Sequence, residues 1–463
     1  MSLNRLDYTI WGVLGGLGLA LAGLLLGGDR IGARAVHLFP ADRQTVSAYA
    51  QIGIEFAQPM NATATEKAFQ LQPATPGQFR WEGQTLWFEP TLPLRPGNYV
   101  ARLAGGTGLD GQPVKQPPVW SFTVRAPELV FLSLVNGGYE LGRVAAGDLV
   151  SPTVATEPAA PELLTHTQGR VQDFGVARDG EQIAYSVKNE QGGADLWLMG
   201  RSGDNPHLVV SCGVETCSAP AWAPDGSRLA YVREPAPASG QAGRVPRVWT
   251  LQPTSGQTAP LYQDPQVAGS EPTWSPDGRW LATFDSQAAN LRLLDVQTGA
   301  LLVLPSLMGQ VGSWSPDSSQ LAFVDLKLGG AQIATQLQVA DIKSKAIRLL
   351  VGTDRGWLDF GPPAWSPAAD WIAMSLRGAA GGSPGKQIWL FHPDGTAAHP
   401  LTADADYGFG GYHWDPWGEW LVFQRYAANS SEPQPEIMLW SARTPEVAPR
   451  LVVRSAALAT WLP

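Results

Sequence analysis

Three stretches of this chain are nearly the same sentence: AWAPDGSRLAYV at Ala221–Val232, TWSPDGRWLATF at Thr273–Phe284 and SWSPDSSQLAFV at Ser313–Val324. Each reads as a short strand ending in Trp, a tight turn, then a second strand. Pro suits the second position of a type I turn because its ring presets φ, and Gly is favoured at the fourth. Asp225, Asp277 and Asp317 fill the position between them. Equivalent positions are expected at Phe174, Trp222, Trp274, Trp314, Trp365 and Trp414, with Trp461 as a seventh. The spacings are 48, 52, 40, 51, 49 and 47 residues. A strand-rich period of about 40–50 residues implies a β-propeller, with one four-stranded blade per repeat.

The last Trp sets the blade count. Trp461 opens an inner strand with nothing after it to complete the blade. Leu129–Thr165 offers three strands with no inner strand before them: LVFLSLVNGG, YELGRVAAGD and PELLT. Ala457–Pro463 is therefore expected to pair with the segment that starts at Leu129. That gives seven blades, with six and an unused tail as the alternative.

The WSPDG units resemble the WD-like repeats of the TolB-type propeller family over Leu129–Pro463. Several units depart from the pattern. The second has Ala for Ser, the fourth has Ser for Gly, the fifth loses Asp-Gly, and the first lacks both Trp and Pro. The resemblance implies the propeller fold. Members of the family include a periplasmic envelope component that works through protein contacts. Others are non-catalytic domains preceding prolyl oligopeptidase-like hydrolases, and some are lyases.

Ahead of the repeats, short alternating runs separated by Pro and Gly turns fill Ala35–Arg125: AVHLF, QIGIEF, QTLWFEP, NYVARL and VWSFTVR. Six or seven such strands in about 90 residues read as a β-sandwich. IGIEFAQPMN, LWFEPTLPLRPGNYVARL, LDG and WSFTV resemble the bacterial Ig-like domains of cell-surface proteins, which implies a spacer or adhesive module.

Between Asp7 and Asp29 lie 21 residues without charge. As a helix they would span about 31 Å, close to the hydrocarbon thickness of a bilayer. The run exceeds a signal-peptide core, so an uncleaved anchor is favoured, although Ala33-Arg34-Ala35 leaves a cleaved signal open. Gly12, Gly16, Gly23 and Gly27 fall on one helical face and are candidates for close packing against another membrane helix.

The two cysteines, Cys212 and Cys217, are close in sequence. They suit a local disulfide in an oxidising compartment, with two reduced structural cysteines as the alternative. Arg5 before the apolar run, against Arg30 and Arg34 after it, leans weakly the other way, towards a cytoplasmic body.

Catalytic signatures are sparse. Gly381-Gly382-Ser383-Pro384-Gly385 matches G-x-S-x-G, but it sits between two strands of one blade and reads as a hairpin loop. The six histidines show no helical zinc spacing, and no P-loop is present. Most Trp residues recur with the repeat and read as core. Trp357 and Trp417 do not recur and are the candidates for an exposed partner contact. The net charge of −9 argues against nucleic acid.

The expected organisation is an anchor and linker over 1–34, an Ig-like sandwich over 35–126, and a TolB-like propeller over 127–463 closed by its last strand. The fold class is all-β with one transmembrane helix. The expected function is a membrane-anchored, extracytoplasmic scaffold that binds a protein or a cell-envelope polymer, without catalysis, cofactor or metal. Two alternatives stay open: a polysaccharide lyase or hydrolase with a site at the channel mouth, and an accessory subunit of a larger membrane complex.

Overall fold

The Trp hairpins are the inner halves of antiparallel meanders. The computed structural model of the protein describes residues 32–145, 160–236, 245–327, 334–352, 356–378, 385–430 and 434–463. It divides into two compact units, Met1–Arg125 and Ala126–Pro463. The segment Asp7–Asp29, with Gly12, Gly16, Gly23 and Gly27, lies outside the described residues. Among those described, no helix is long and apolar enough to cross a membrane.

The first unit holds two four-stranded sheets. One is ordered Ala35–Phe39, Ile52–Phe56, Thr85–Pro90, Gly77–Glu82; the other Gln44–Val46, Val119–Val124, Gly97–Leu103, Phe69–Gln72. Burial alternates along Gly97–Leu103, with Tyr99, Ala101 and Leu103 inward. Period-two patterning needs this arrangement, because successive side chains leave opposite faces of a strand. The sheets meet face to face: Phe69 of one stacks 5.3 Å from Phe88 of the other. The sequence reading missed a seven-residue helix, Ala62–Ala68, whose Asn61 cap accepts a hydrogen bond from the Ala64 amide. Asn is a strong N-cap, so its signal was present but short.

The second unit is a series of four-stranded antiparallel sheets, the arrangement of a β-propeller. Numbered from the N-terminal side of the repeats, their innermost strands are Val171–Val176 (sheet I), Thr216–Trp222 (II), Ser270–Trp274 (III), Ser313–Trp314 (IV), Ala364–Trp365 with Trp357–Phe360 (V) and Tyr407–Trp414 (VI). In the remaining sheet (VII) the inner strand is Ala456–Leu462. It pairs antiparallel with Glu128–Val135, and Trp461 stands opposite Leu129. Gly138–Val144 and Glu162–Leu163 complete that sheet. A single parallel bridge, Ala194 to Thr216, joins sheets I and II.

Register corrects one assignment. The Trp position pairs with the residue seven further on, as Trp222 does with Leu229 and Trp274 with Leu281. In sheet I that place belongs to Val176, opposite Ile183, and not to Phe174, which stands opposite Tyr185. The spacing to Trp222 is thus 46. A repeat that has lost both Trp and Pro leaves only its Asp179-Gly180 turn to fix the register, and an aromatic two residues away is a false guide.

The cores lie between neighbouring sheets. Leu129, Val422, Ile437, Val453 and Trp461 pack together where VI meets VII. Ala322, Val339, Trp365, Ile372 and Phe391 do so where IV meets V. Consecutive sheets thus bury one another's faces, which leaves edges only at the outermost strands.

Candidate functional site

The inner strands are tied to one another through their repeat Trp residues. Each indole N–H donates to the carbonyl just before the equivalent position of the preceding sheet. Trp222 reaches Gly175 (3.1 Å), Trp274 reaches Ala221 (3.1 Å) and Trp314 reaches Thr273 (3.2 Å). Trp414 reaches Ala364 and Trp461 reaches His413, both at 3.1 Å. Trp365 is the exception: its Nε1 has no partner, and its backbone N–H donates instead to Ser313 Oγ at 3.0 Å.

From sheet VII to sheet I no indole is available, because Val176 occupies the position. Arg201 spans that seam. Its guanidinium donates to the main-chain oxygens of Pro463 (2.6 Å) and Leu462 (3.3 Å), and pairs with Glu128 at 2.9 Å.

The turns explain the conserved pattern within the chain. Gly226 and Gly278 close hydrogen-bonded turns at φ +70 and +71, a region open to Gly at little cost. The Asp of each turn then caps the strand that follows. Asp225, Asp277 and Asp317 accept from the amides two residues on, at 3.0, 3.0 and 3.1 Å. In the fourth unit Ser318 takes the Gly place at φ 61, and its hydroxyl accepts from the Asp277 amide of the previous turn at 3.0 Å. Neighbouring turns therefore touch, which fits the narrow end of a propeller.

The amide three residues before the Trp position, which lies in a strand bulge at Ala219 and Leu458, is satisfied in three of the sheets by a side chain from the neighbouring sheet. Asp173 accepts from Ala219 N (2.9 Å), Glu271 from Val311 N (3.1 Å) and Gln424 from Leu458 N (3.1 Å). Burial pushes the Asp173 and Glu271 carboxyls up from their ordinary values, against the amide bonds that pull them down. Burial likewise lowers His413. Glu271 and His413 nonetheless retain exposed surface. The carboxylates here are engaged in holding backbone.

Two clefts open away from the inner strands. One, of about 640 Å³, lies across sheets V and VI and is walled by Trp371, Trp440, Leu390, Pro400, Pro445 and Val447. The other, of about 470 Å³, lies at sheet II between Arg233, Arg247, Trp249, Glu215, Pro235 and Pro265. Neither was foreseen, because their walls come from residues far apart in sequence.

Cys212 and Cys217 are joined as a disulfide with Cα atoms 6.1 Å apart, inside the core that also holds Trp222 and Tyr231. Trp357 corrects an expectation. It lies in a strand of sheet V, buried against Trp389 and Phe391, so its failure to recur reflects the split inner strand and not exposure. Trp417 is half-buried at the turn of sheet VI. Residues 381–384 of the G-x-S-x-G match lie outside the described residues. No group of three or more His, Cys, Asp or Glu among the described residues could hold a metal ion.

No family model matches the chain. The uncharacterised protein YidR of Escherichia coli (strain K12) is 30% identical over 178 residues, which cover 35% of this chain and 40% of that protein. The chain thus spans less than half of the relative it matches. Among solved structures it is similar to TolB from Acinetobacter baumannii, at 14% identity over 72% of this chain and 79% of that one, with a TM-score of 0.42. It is also similar to an oligogalacturonate lyase in complex with manganese, at 13% identity over 71% and 73%, with a TM-score of 0.34. A prolyl endopeptidase is 11% identical over 80% of this chain and 49% of that one, with a TM-score of 0.48. These likenesses concern the class of fold and carry no activity to this chain.

Proposed function

We propose that this chain is an extracytoplasmic binding protein. In this reading the chain runs from an N-terminal membrane anchor through an Ig-like module to a closed seven-bladed propeller, and recognises a protein partner without catalysis. The pairing of Trp461 with Leu129 and the Arg201 seam support ring closure. The Cys212–Cys217 disulfide supports an oxidising compartment. The uncharged run between Asp7 and Asp29 supports the anchor.

One observation carries the binding role. The inner-strand carboxylates Asp173 and Glu271 are occupied by backbone amides, while the open cleft at sheets V and VI offers aromatic and Pro walls. Rigid aromatic surface of this kind is favoured where proteins dock. The test is a photo-crosslinking side chain at Val447, which is 57% exposed in that cleft, compared with Leu109 of the first unit, 73% exposed. In intact cells Val447 should give one discrete protein adduct that Leu109 does not. A heterogeneous adduct cleaved by glycosidases would point to an envelope polymer instead. Equal adducts from both positions, or none from Val447, would overturn the reading.

A further inference from the structure

We propose that the outer edge of sheet III is a self-association edge, to which a second copy of this chain adds its own Leu301–Pro305 strand, antiparallel and about a two-fold axis at Val303. The inference goes beyond the protein-binding reading above and uses a different surface. It starts from the outermost strand of each sheet. Such a strand exposes a row of unpaired main-chain groups, and proteins blunt it with shortness, charge, Pro or a bulge. Glu162–Leu163 and Ala398–Pro400 are two and three residues long. Ile347–Val351 carries Arg348, Arg450–Arg454 begins and ends in Arg, and both break register with the strand inside them. His207–Val210 breaks register too, and Gln257–Pro260 is short and half polar. Leu301–Pro305 keeps only Pro305, at its last position. It reads LLVLP, pairs with Asn290–Asp295 in unbroken register, and has no strand on its other side among the described residues.

The ladder fixes which main-chain groups face outward. The Asp295 amide donates to the Ala300 oxygen at 2.8 Å, and the Ser306 amide to the Ala289 oxygen at 3.2 Å. Hydrogen-bonded positions alternate along an antiparallel pair, so Leu302 and Leu304 bond inward while Leu301, Val303 and Pro305 turn their main-chain groups to the free edge. A second copy set antiparallel, with Val303 opposite Val303, overlaps all five residues. The two Val303 residues then exchange both bonds, and each Leu301 N–H meets a Pro305 carbonyl. No outward N–H is left over. The N–H that Pro305 lacks leaves only a Leu301 carbonyl to water.

Side chains and charge agree with this pairing. Leu302 and Leu304 are buried in the core between sheets III and IV and hold the strand in place, while Val303 is 44% exposed. Opposite residues of a ladder share a face, so the two-fold gathers Leu301, Val303 and Pro305 of both copies on one face. Two chains of net −9 repel, and can meet closely only where neither carries charge. No charged residue occurs between Asp295 and Asp317, a run of 21 residues in a chain that is 16% charged, and the whole run is described. Arg292, opposite Val303 on the inner neighbour, is already paired with Asp285 at 3.3 Å. A charged partner would find nothing here to pair with. A second copy finds its own donors, acceptors and apolar side chains matched.

The test is a thiol crosslink on the full chain in intact cells. Both native cysteines are held in the Cys212–Cys217 disulfide, so an introduced thiol stands alone. Hydrogen-bonded residues facing each other across antiparallel strands have Cα atoms about 5.5 Å apart, within reach of a short, membrane-permeant bifunctional thiol reagent. Val303→Cys should give a covalent dimer on a denaturing gel, roughly fivefold or more above Leu349→Cys. Leu349 is the more exposed site, at 58%, but lies on the Arg-bearing outer strand of sheet IV. Adding Leu301→Lys to Val303→Cys should cut the dimer by about fivefold or more, because it sets a charge on the edge. Adding Leu349→Lys should leave the dimer unchanged. The proposal falls if Val303→Cys gives no dimer, if Leu349→Cys gives as much, if Leu301→Lys has no effect, or if the adduct at Val303 is with a different protein.

Discussion

The indole N–H of Trp461 donates to the main-chain oxygen of His413 across 3.1 Å, joining sheet VII to sheet VI. It is one of five such bonds among the described residues. Trp461 and Trp365 are similarly buried, at 6% and 9% exposure, but only Trp461 makes the bond. Trp461→Phe should therefore cost about 1–2 kcal/mol more than Trp365→Phe, since a hydrogen bond is lost in the first and an unpaired buried N–H is removed in the second. Urea denaturation of both variants checks this. Equal costs would mean that the indoles act only as packing volume.

Arg201 does at the remaining seam what Trp does elsewhere. Its side chain is 15% exposed and its partner Glu128 19%. Arg201→Met should destabilise by about 2 kcal/mol, because Glu128 and two carbonyls lose a desolvated partner. Hydrogen exchange of Ala456–Leu462 should accelerate. Arg443→Met is the comparison: that guanidinium is 63% exposed where it meets Glu419, so its loss should stay within about 0.5 kcal/mol.

Ala369 and Ser318 both occupy the turn position that Gly holds elsewhere, at φ 64 and 61. Ala369→Gly should stabilise by about 1 kcal/mol by relieving the left-handed backbone. Ser318→Gly gains the same relief but loses the bond from the Asp277 amide, so the two effects should nearly cancel. Thermal melts of both variants separate the cases, and a similar gain in both would show that the Ser318 bond contributes nothing.

Burial raises the Glu271 carboxyl. A raised acid favours the folded state below its unfolded titration range, and that contribution fades as pH climbs through the folded value. Gln keeps an acceptor for the Val311 amide and carries no charge. Glu271→Gln should therefore match or exceed the parent in stability at pH 7. The parent should gain on it as pH falls towards the ordinary carboxylate range. Denaturation at both pH values tests this, and a parent that loses ground on acidification would reverse the sign.

Much of the fold could be read from the residues. Trp222, Trp274, Trp314, Trp365, Trp414 and Trp461 recur because each fills the same gap between sheets, and repetition makes one physical requirement visible many times. The expected partner of the last strand also followed, since an inner strand without neighbours must find them elsewhere. Sites of a single occurrence were harder. Trp357 was misread because irregular spacing looks the same whether a side chain is exposed or sits in a split strand.

The sequence by itself determined the hairpin unit and its turn chemistry, because these depend on neighbours within about a dozen residues. Only the tertiary structure decided that Arg201 clasps Pro463, and that Asp173 and Glu271 hold amides of the next sheet. Those relationships join residues 40 to 262 positions apart. No local pattern encodes such a distance. It is set by how the sheets pack, and packing fixes which groups meet as partners.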